Sequence, residues 1–275
     1  MWTLSGFADE IDPDLTTQCR VLNGLGIGFI ELRSAWDVNV LDLSAEQLVT
    51  VRKTLEQHDL RVSSIGSPLG KINIEDDFDE HLARTEHAVN LAQQLGAPFI
   101  RMFSFFLTAE QRPEDHREEV LRRLSAMAQR AADAGVVLLH ENEKGIYGDV
   151  PERVLDLVTA VDSPALRLAW DAANYVQVGV VPFPEAYAEL RPYTDYIQIK
   201  DAVLGTGEVV VAGAGDGRVR ETIRALADDG FDGFFSMEPH LASAHHLGGF
   251  SGPENFIRAT EAFTEILRDE GVAYR

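Results

Sequence analysis

Short runs of aliphatic and β-branched residues alternate along this chain with longer stretches whose apolar positions recur at helical spacing. Runs of roughly four to eight such residues bounded by polar turns read as strands buried on both faces, and the amphipathic stretches between them read as helices packed over those strands. The first alternation, Trp2–Ala8, runs into DEIDPD, where Asp12 and Pro13 predict the N-cap and first residue of a helix reaching about Leu25. Gly28–Leu32 is a second strand, and Ser44, followed by Glu46 and Gln47, predicts a helix through about His58. Leu60–Ile65 is a third strand, finishing in SPLGK. A helix over Phe78–Leu95 leads into the strand PFIRMFSF, and a helix over Pro113–Ala134 leads into VVLLHENE. A shorter helix, started by Asp149 and Pro151 and ending at Val161, precedes the strand Ala165–Trp170, which stops at Asp171. Pro182–Leu190 is helical and Tyr196–Lys200 is the seventh strand. Val203–Gly217, rich in Gly and Val, reads as an irregular excursion or small hairpin. Arg218–Asp229 is a helix, Gly233–Met237 the eighth strand and Glu254–Arg268 the closing helix.

Eight strand-then-helix units in 275 residues average about 34 residues each, the size expected of a (β/α)₈ TIM barrel. The fold class is therefore α/β, a single (β/α)₈ barrel over residues 1–275, with no linker to divide it. A doubly wound open sheet shares the alternation but wants a Gly-rich phosphate turn after its first strand, and SGFADEI is not one.

Composition narrows the partners. Acids outnumber bases 45 to 24, a formal charge of −21, so the surface field repels phosphate backbones and anionic membranes; nucleic acid and membrane surfaces are excluded as partners. No apolar run approaches the roughly 20 residues that span a bilayer, and the opening MWTLSGFADEID carries acids where a signal peptide carries bases. The expected location is cytoplasmic. The single Cys19 cannot form an intramolecular disulfide and reads as a small buried apolar residue.

Barrel enzymes place their chemistry at the carboxyl ends of the strands, so the candidates are the residues where each apolar run stops. These are Arg33 after the second strand, Lys71 after the third, Arg101 and Ser104 on the fourth, and Glu141 with Glu143 on the fifth. Asp171 and Asn174 follow on the sixth, Gln198 and Lys200 on the seventh, and Glu238 with His240 on the eighth. Glu141, Asp171 and Glu238 are expected at one depth, where they would repel one another unless a cation lay between them. A divalent metal is the simplest such cation. Carboxylate and amide oxygens, with Gln198 at the matching place, suit Mg²⁺ or Mn²⁺ better than Co²⁺ or Zn²⁺. The competing reading is that Lys200, Arg101 and Lys71 neutralise the acids in a metal-free pocket for an anion or a sugar.

The same residues carry a resemblance. SGFADEI, IELR, SPLGK, IRMFSFF, HENEKGIYGD, WDAANYVQVG, YIQIKDA and SMEPHL, in this order over essentially the whole chain, resemble the sugar phosphate isomerase/epimerase family with the xylose-isomerase-like TIM barrel. That family includes ketose 3-epimerases, hydroxypyruvate isomerase and inosose dehydratase. The resemblance implies a divalent metal held by a Glu, an Asp, a His and a second Glu from strands five to eight, here Glu141, Asp171, Gln198 and Glu238. Two positions depart from the pattern. Gln198 stands where the family has its metal-binding His, and Asn174 stands where several relatives have a substrate-binding His.

The chemistry implied is proton transfer beside a sugar carbonyl through a metal-stabilised enediolate, with Glu141 and Glu238 exchanging base and acid roles. Lys200, on the same strand face as Gln198, donates to a substrate oxygen or pairs with Asp171 or Glu238. Arg33, Lys71 and Arg101 bind a carboxylate or phosphate at the far end of the substrate or form rim salt bridges. His240 and Asn174 complete the substrate-binding set. His58, His81, His87 and His116 fall on helices and are expected in solvent, while His245 and His246 lie in the loop before the last helix. Trp36, Phe103, Phe105 and Phe106 stack on a sugar or belong to the core. The expected function is thus a divalent-metal-dependent isomerase or epimerase of a small sugar or keto-polyol. The alternatives are a lyase of the inosose dehydratase kind and a non-catalytic sugar-binding barrel without metal. A homodimer is compatible with either.

Overall fold

In the computed structural model, which describes residues 1–245 and 248–275, eight parallel strands form the barrel. They are β1 (Thr3–Gly6), β2 (Phe29–Leu32), β3 (Arg61–Ile65), β4 (Phe99–Met102), β5 (Val137–Glu141), β6 (Leu166–Asp171), β7 (Thr194–Ile199) and β8 (Phe234–Met237). Hydrogen-bonded neighbours run β1-β8-β7-β6-β5-β4-β3-β2, and β1 and β2 come together across the seam, so the sheet curls into a (β/α)₈ TIM barrel. Helices return the chain between strands: α1 (Leu15–Gly24), α2 (Ala45–Gln57), α3 (Phe78–Leu95), α4 (Pro113–Ala134), α5 (Pro151–Val161), α6 (Ala172–Gln177), α7 (Glu185–Leu190), α8 (Val219–Asp228) and α9 (Pro253–Asp269). Among the described residues no helix is long and apolar enough to cross a membrane.

Strand alternation sorts the lumen into layers. At the amino-terminal end Phe29, Phe99, Tyr196 and Phe234 close the floor by edge and stacked ring contacts. Two residues further along the same strand faces stand Glu31, Arg101, Gln198 and Ser236, and another step brings Arg33, Lys200 and Glu238. Each inward row therefore changes from aromatic to charged as it nears the carboxyl ends. The apolar core proper lies between the outer strand faces and the helices, where Cys19 is fully buried beside Leu15 and Leu22. Burial pushes its thiol up to about 12, in keeping with an apolar rather than a nucleophilic role.

Several local expectations shift. The N-cap of α1 is Asp14, not Asp12: Asp14 Oδ2 accepts Thr17 N at 2.9 Å, while Asp12 Oδ1 is occupied by the Asp14 amide at 2.8 Å. The box predicted at Ser44 and Gln47 is present. Helix α6 was not expected; it starts because Asp171, at the end of β6, turns its Oδ1 onto the Asn174 amide at 2.9 Å. Val203–Gly217 folds back as a small hairpin, Asp201–Ala202 against Val209–Val210. It is held by Asp201, whose carboxylate accepts the amides of Ala202, Gly213, Gly215 and Gly217. Ser243–His245 pairs antiparallel with Gly248–Phe250, two short strands where a loop was expected. His246 lies outside the described residues.

The expectation that His81 is solvated fails. It is buried on the inner face of α3, where Nε2 accepts the Gly70 amide at 2.8 Å and so anchors the SPLGK turn. Gly70 is in the left-handed region (φ +84°), and a Cβ there would collide with the Phe103 carbonyl, which explains glycine in that turn. Burial, with help from Arg84 and Arg123, pushes the His81 pKa down to about 4, so the folded ring is neutral. Protonation of the unfolded chain then draws stability away as pH falls below about 6.5, the contribution being fully lost near 4, at a total of up to about 3 kcal/mol. Urea unfolding of His81→Gln should show a smaller loss of midpoint between pH 7.5 and 5 than the parent. An equal loss would place the sensitivity elsewhere.

Candidate active site at the carboxyl ends of the strands

Glu141 ends β5, Asp171 ends β6 and Glu238 follows β8; one ligand oxygen from each lies within 4.8 Å of the others, and all three side chains are buried. The pairing register brings this about. Glu141 stands two residues beyond the partner of Arg101, Asp171 two beyond Ala169, the partner of Glu141, and Glu238 two beyond Ser236, the partner of Gln198. In a tilted barrel that stagger is what keeps residues of different strands at one height.

Like charges this close are held by cations from three other strand ends. Arg101 Nη1 donates to Glu141 Oε2 at 3.2 Å and to Glu238 Oε1 at 3.4 Å. Arg33 Nη1 reaches the same Glu238 oxygen at 3.3 Å, while its Nε binds Asp9 Oδ2 at 2.7 Å. Lys200 Nζ lies 2.8 Å from Asp171 Oδ2 and 3.2 Å from Glu238 Oε2. Arg33 and Arg101 are therefore not rim residues, as one reading had them. They are buried, and both guanidinium groups sit over the Phe7 ring, with Cζ 4.5 and 4.7 Å from its centroid. Lys71 pairs with Glu143 Oε2 at 3.3 Å and lies 4.3 Å from the Phe103 ring.

The remaining predicted residues are accounted for as follows. Asn174 Nδ2 donates to Glu141 Oε1 at 3.2 Å and to the Asn142 carbonyl at 2.8 Å, so it sits where it steadies the glutamate. His240 Nε2 is 3.3 Å from both Glu10 Oε1 and Glu238 Oε1. Gln198 is at the register of Asp171, but its Nε2 donates across the lumen to Glu31 Oε2 at 3.1 Å, within its own layer, and its buried Oε1 has no hydrogen-bond partner among the described residues. Ser104 turns away from the lumen and binds His140 Nε2 at 2.9 Å and the Gly148 amide at 2.8 Å. Phe103 and Phe105 are fully buried.

Four participants were missed in the sequence: Phe7, Asp9, Glu10 and Glu31. Three lie in SGFADEI and one in IELR, and the available signal was alternation, which puts Glu31 on the same strand face as Arg33.

Burial and the neighbouring charges separate the acids. Burial, then Glu238, pushes Glu141 up to about 8 against the pull of Arg101 and Lys200. Burial likewise raises Asp171, Glu31 and Glu10. For Glu238 burial would raise the pKa, but Lys200, His240 and Arg101 together hold it well below the usual carboxylate range. An acid that keeps its proton near neutrality stands beside one that does not, the arrangement used by paired carboxyls in proton transfer.

A parallel eight-stranded barrel with a buried carboxylate cluster at its carboxyl ends places the chain among TIM-barrel proteins, with an acidic cluster that could hold a divalent metal. More narrowly, the chain belongs to the xylose isomerase-like TIM barrel family, whose model matches residues 19–266. A 2-epi-5-epi-valiolone 7-phosphate 2-epimerase of Actinoplanes sp. is 43% identical over 93 residues, covering 34% of this chain and 32% of the relative. A 3-dehydroshikimate dehydratase of Bacillus anthracis is 21% identical over 169 residues, covering 60% of each. The chain thus matches about a third and three fifths of the length of these curated relatives. Among solved structures, a xylose isomerase-like TIM barrel protein from Mycobacterium smegmatis in complex with magnesium superposes with a TM-score of 0.73 at 20% identity, covering 98% of this chain and 97% of that one.

Arg101 is the cation shared by Glu141 and Glu238, so Arg101→Met leaves buried carboxylates short of a partner. A stability loss of about 3 kcal/mol or more is expected from urea unfolding at pH 7.5. A loss under about 1 kcal/mol would mean that the cluster is held without it.

Proposed function

We propose that the protein is a divalent-metal-dependent epimerase or isomerase of a small sugar or keto-polyol, working by proton transfer at the carbon beside a carbonyl. The observation that carries this reading is the convergence of Glu141, Asp171 and Glu238 within 4.8 Å in the barrel mouth. The donor set fits a hard divalent ion. Three carboxylate oxygens face one another, and the unpartnered Gln198 Oε1 is a further oxygen at the register of Asp171. Glu141, Asp171, Gln198 and Glu238 would hold the ion, which when bound supplies Lewis-acid polarisation of the substrate oxygens.

The chain's own residues account for the proton movements. Glu238, ionised beside Lys200 and Arg101, takes the proton from carbon, and Glu141, across the cluster, returns one from the other side. Asn174 keeps the Glu141 carboxyl in place through Oε1. Lys200, with His240 beyond it, supplies donors to the developing oxyanion. The closed, buried setting of these groups excludes water from the carbanion.

The likeness to a 3-dehydroshikimate dehydratase favours a second reading, a lyase. It needs the same proton abstraction, after which a β-hydroxyl leaves in place of reprotonation. Product analysis separates the two, since the lyase gives an unsaturated ketone and the epimerase an isomer of equal mass.

The test is chelation followed by add-back on a panel of ketoses, aldoses and keto-polyols. Turnover should vanish with chelator and return with Mn²⁺ or Mg²⁺. Glu141→Gln and Glu238→Gln should each lose about 100-fold or more in kcat. Gln198→His should raise Zn²⁺ and Co²⁺ affinity by about tenfold while changing Mg²⁺ little, because imidazole nitrogen favours the softer ions. Activity indifferent to chelator overturns the metal dependence.

A further inference from the structure

We infer that the Lys200 ammonium and a divalent ion are alternative occupants of one seat among Asp171, Glu238 and Glu141, so that binding the ion expels Lys200 from the carboxylates and releases it as a donor for substrate. This role rests on the metal-dependent reading above.

The geometry leaves little room for both. Lys200 Nζ is 2.8 Å from Asp171 Oδ2 and 3.2 Å from Glu238 Oε2. Those carboxylates, with Glu141, are the groups whose oxygens converge within 4.8 Å. A hard divalent ion would need oxygens of the same carboxylates, two of which already hold the ammonium. Two cations cannot share that seat, because at such separations their repulsion is not screened by the buried surroundings.

Of the cations in the cluster, Lys200 is the one that can move. Arg33 is fixed from several sides, by Asp9 at 2.7 Å, by the Gly249 carbonyl at 3.2 Å and by the Phe7 ring. Arg101 is wedged between the Phe7 and Phe103 rings, Cζ being 4.7 and 4.9 Å from their centroids. The Lys200 ammonium meets only carboxylates among the described residues and rides on a flexible four-carbon stem. Glu143 already acts on it electrostatically from farther out, and a small swing carries it that way.

The loss of imidazole at position 198 makes this competition matter more. With an amide oxygen as the fourth donor the ion is held less firmly, so an internal cation in the same seat takes a larger share of the binding free energy. Metal affinity in this chain is then set by how easily Lys200 leaves, and substrate oxygens that receive the freed ammonium favour metal binding in turn.

The experiment is Mn²⁺ titration of chelator-treated protein, with free Mn²⁺ followed by electron paramagnetic resonance. Lys200→Met, which keeps the stem and removes the charge, should bind Mn²⁺ about tenfold tighter or more than the parent, and Lys200→Arg no tighter than the parent. On the unaltered protein, amine acylation mapped by mass spectrometry should show Lys200 modified several-fold faster with Mn²⁺ than without. This readout stands even where Lys200→Met folds poorly. Equal or weaker Mn²⁺ binding by folded Lys200→Met, or Lys200 acylation unchanged by bound Mn²⁺, overturns the exchange. Should the parent bind no Mn²⁺ while Lys200→Met does, the exchange stands and the metal-dependent function falls. If neither binds, both fall.

Discussion

The arrangement depends on one electrostatic constraint: Glu141, Asp171 and Glu238 are brought together out of water, and carboxylates in that setting must be protonated or matched by positive charge. The protein uses both solutions. Arg33, Arg101 and Lys200 converge on Glu238 and keep it ionised, whereas Glu141 and Asp171 are pushed towards the protonated form. Such a cluster is weak evidence of stability in itself. Its value is that it holds several charges at fixed positions in a space where a substrate oxygen or a divalent ion would meet them undiluted by solvent.

The fold supports the constraint from below. Tyr196 on the lumen floor shares a hydrogen-bonded chain with Ser63, at 2.9 Å, and Ser63 with Ser5 at 2.6 Å, so the layer under the charges is packed and satisfied. Above it Phe7 lies under both arginines, and that position is available only because residue 66 is glycine: a Cβ there would come within 2.6 Å of the Phe7 ring and 2.9 Å of Arg33 Cβ. The turn after β1, the turn after β3 and the end of β2 are therefore one assembly. Asp9 then ties Arg33 and Ser34 together through a single oxygen, at 2.7 Å to each, which fixes how Arg33 is presented to Glu238.

Much of this was legible in the chain, for identifiable reasons. Short apolar runs ending in acids marked the strands and the acidic trio, because barrel topology fixes where strand ends go. Glu141, Asp171 and Glu238 could be grouped without coordinates for that reason. Side-chain choice of partner was not legible. Nothing in YIQIKDA says that Gln198 points its amide nitrogen across to Glu31 while Lys200 takes Asp171, since both face the lumen and either could have filled the space between the acids. Asp9 and Glu10 were missed because they follow β1 in a turn, where alternation no longer reports direction, and Phe7 because alternation gives a face and not a partner. His81 was misplaced because a helix face is buried or exposed according to the turn packed on it, here SPLGK, and that is a tertiary fact.

On the metal-dependent reading proposed above, an amide at position 198 can still serve beside an ion. A ligating histidine is normally oriented by a hydrogen bond from its second ring nitrogen to a buried acceptor, which leaves the first aimed at the metal. Gln198 reproduces both halves of that arrangement with an amide: Nε2 donates to Glu31 Oε2 at 3.1 Å, and Oε1 is left over, buried and without a hydrogen-bond partner among the described residues. Glu31 thus performs the same orienting service for the amide that it would for an imidazole. On that reading the donor offered at this position would be a neutral oxygen rather than a nitrogen, and the preferred ions would differ accordingly. A site made wholly of oxygens gives up the nitrogen donor that favours Zn²⁺ and suits the harder Mg²⁺ or Mn²⁺ better. On the proposed exchange, the Lys200 ammonium beside Asp171 and Glu238 is the charge that a bound ion would have to replace.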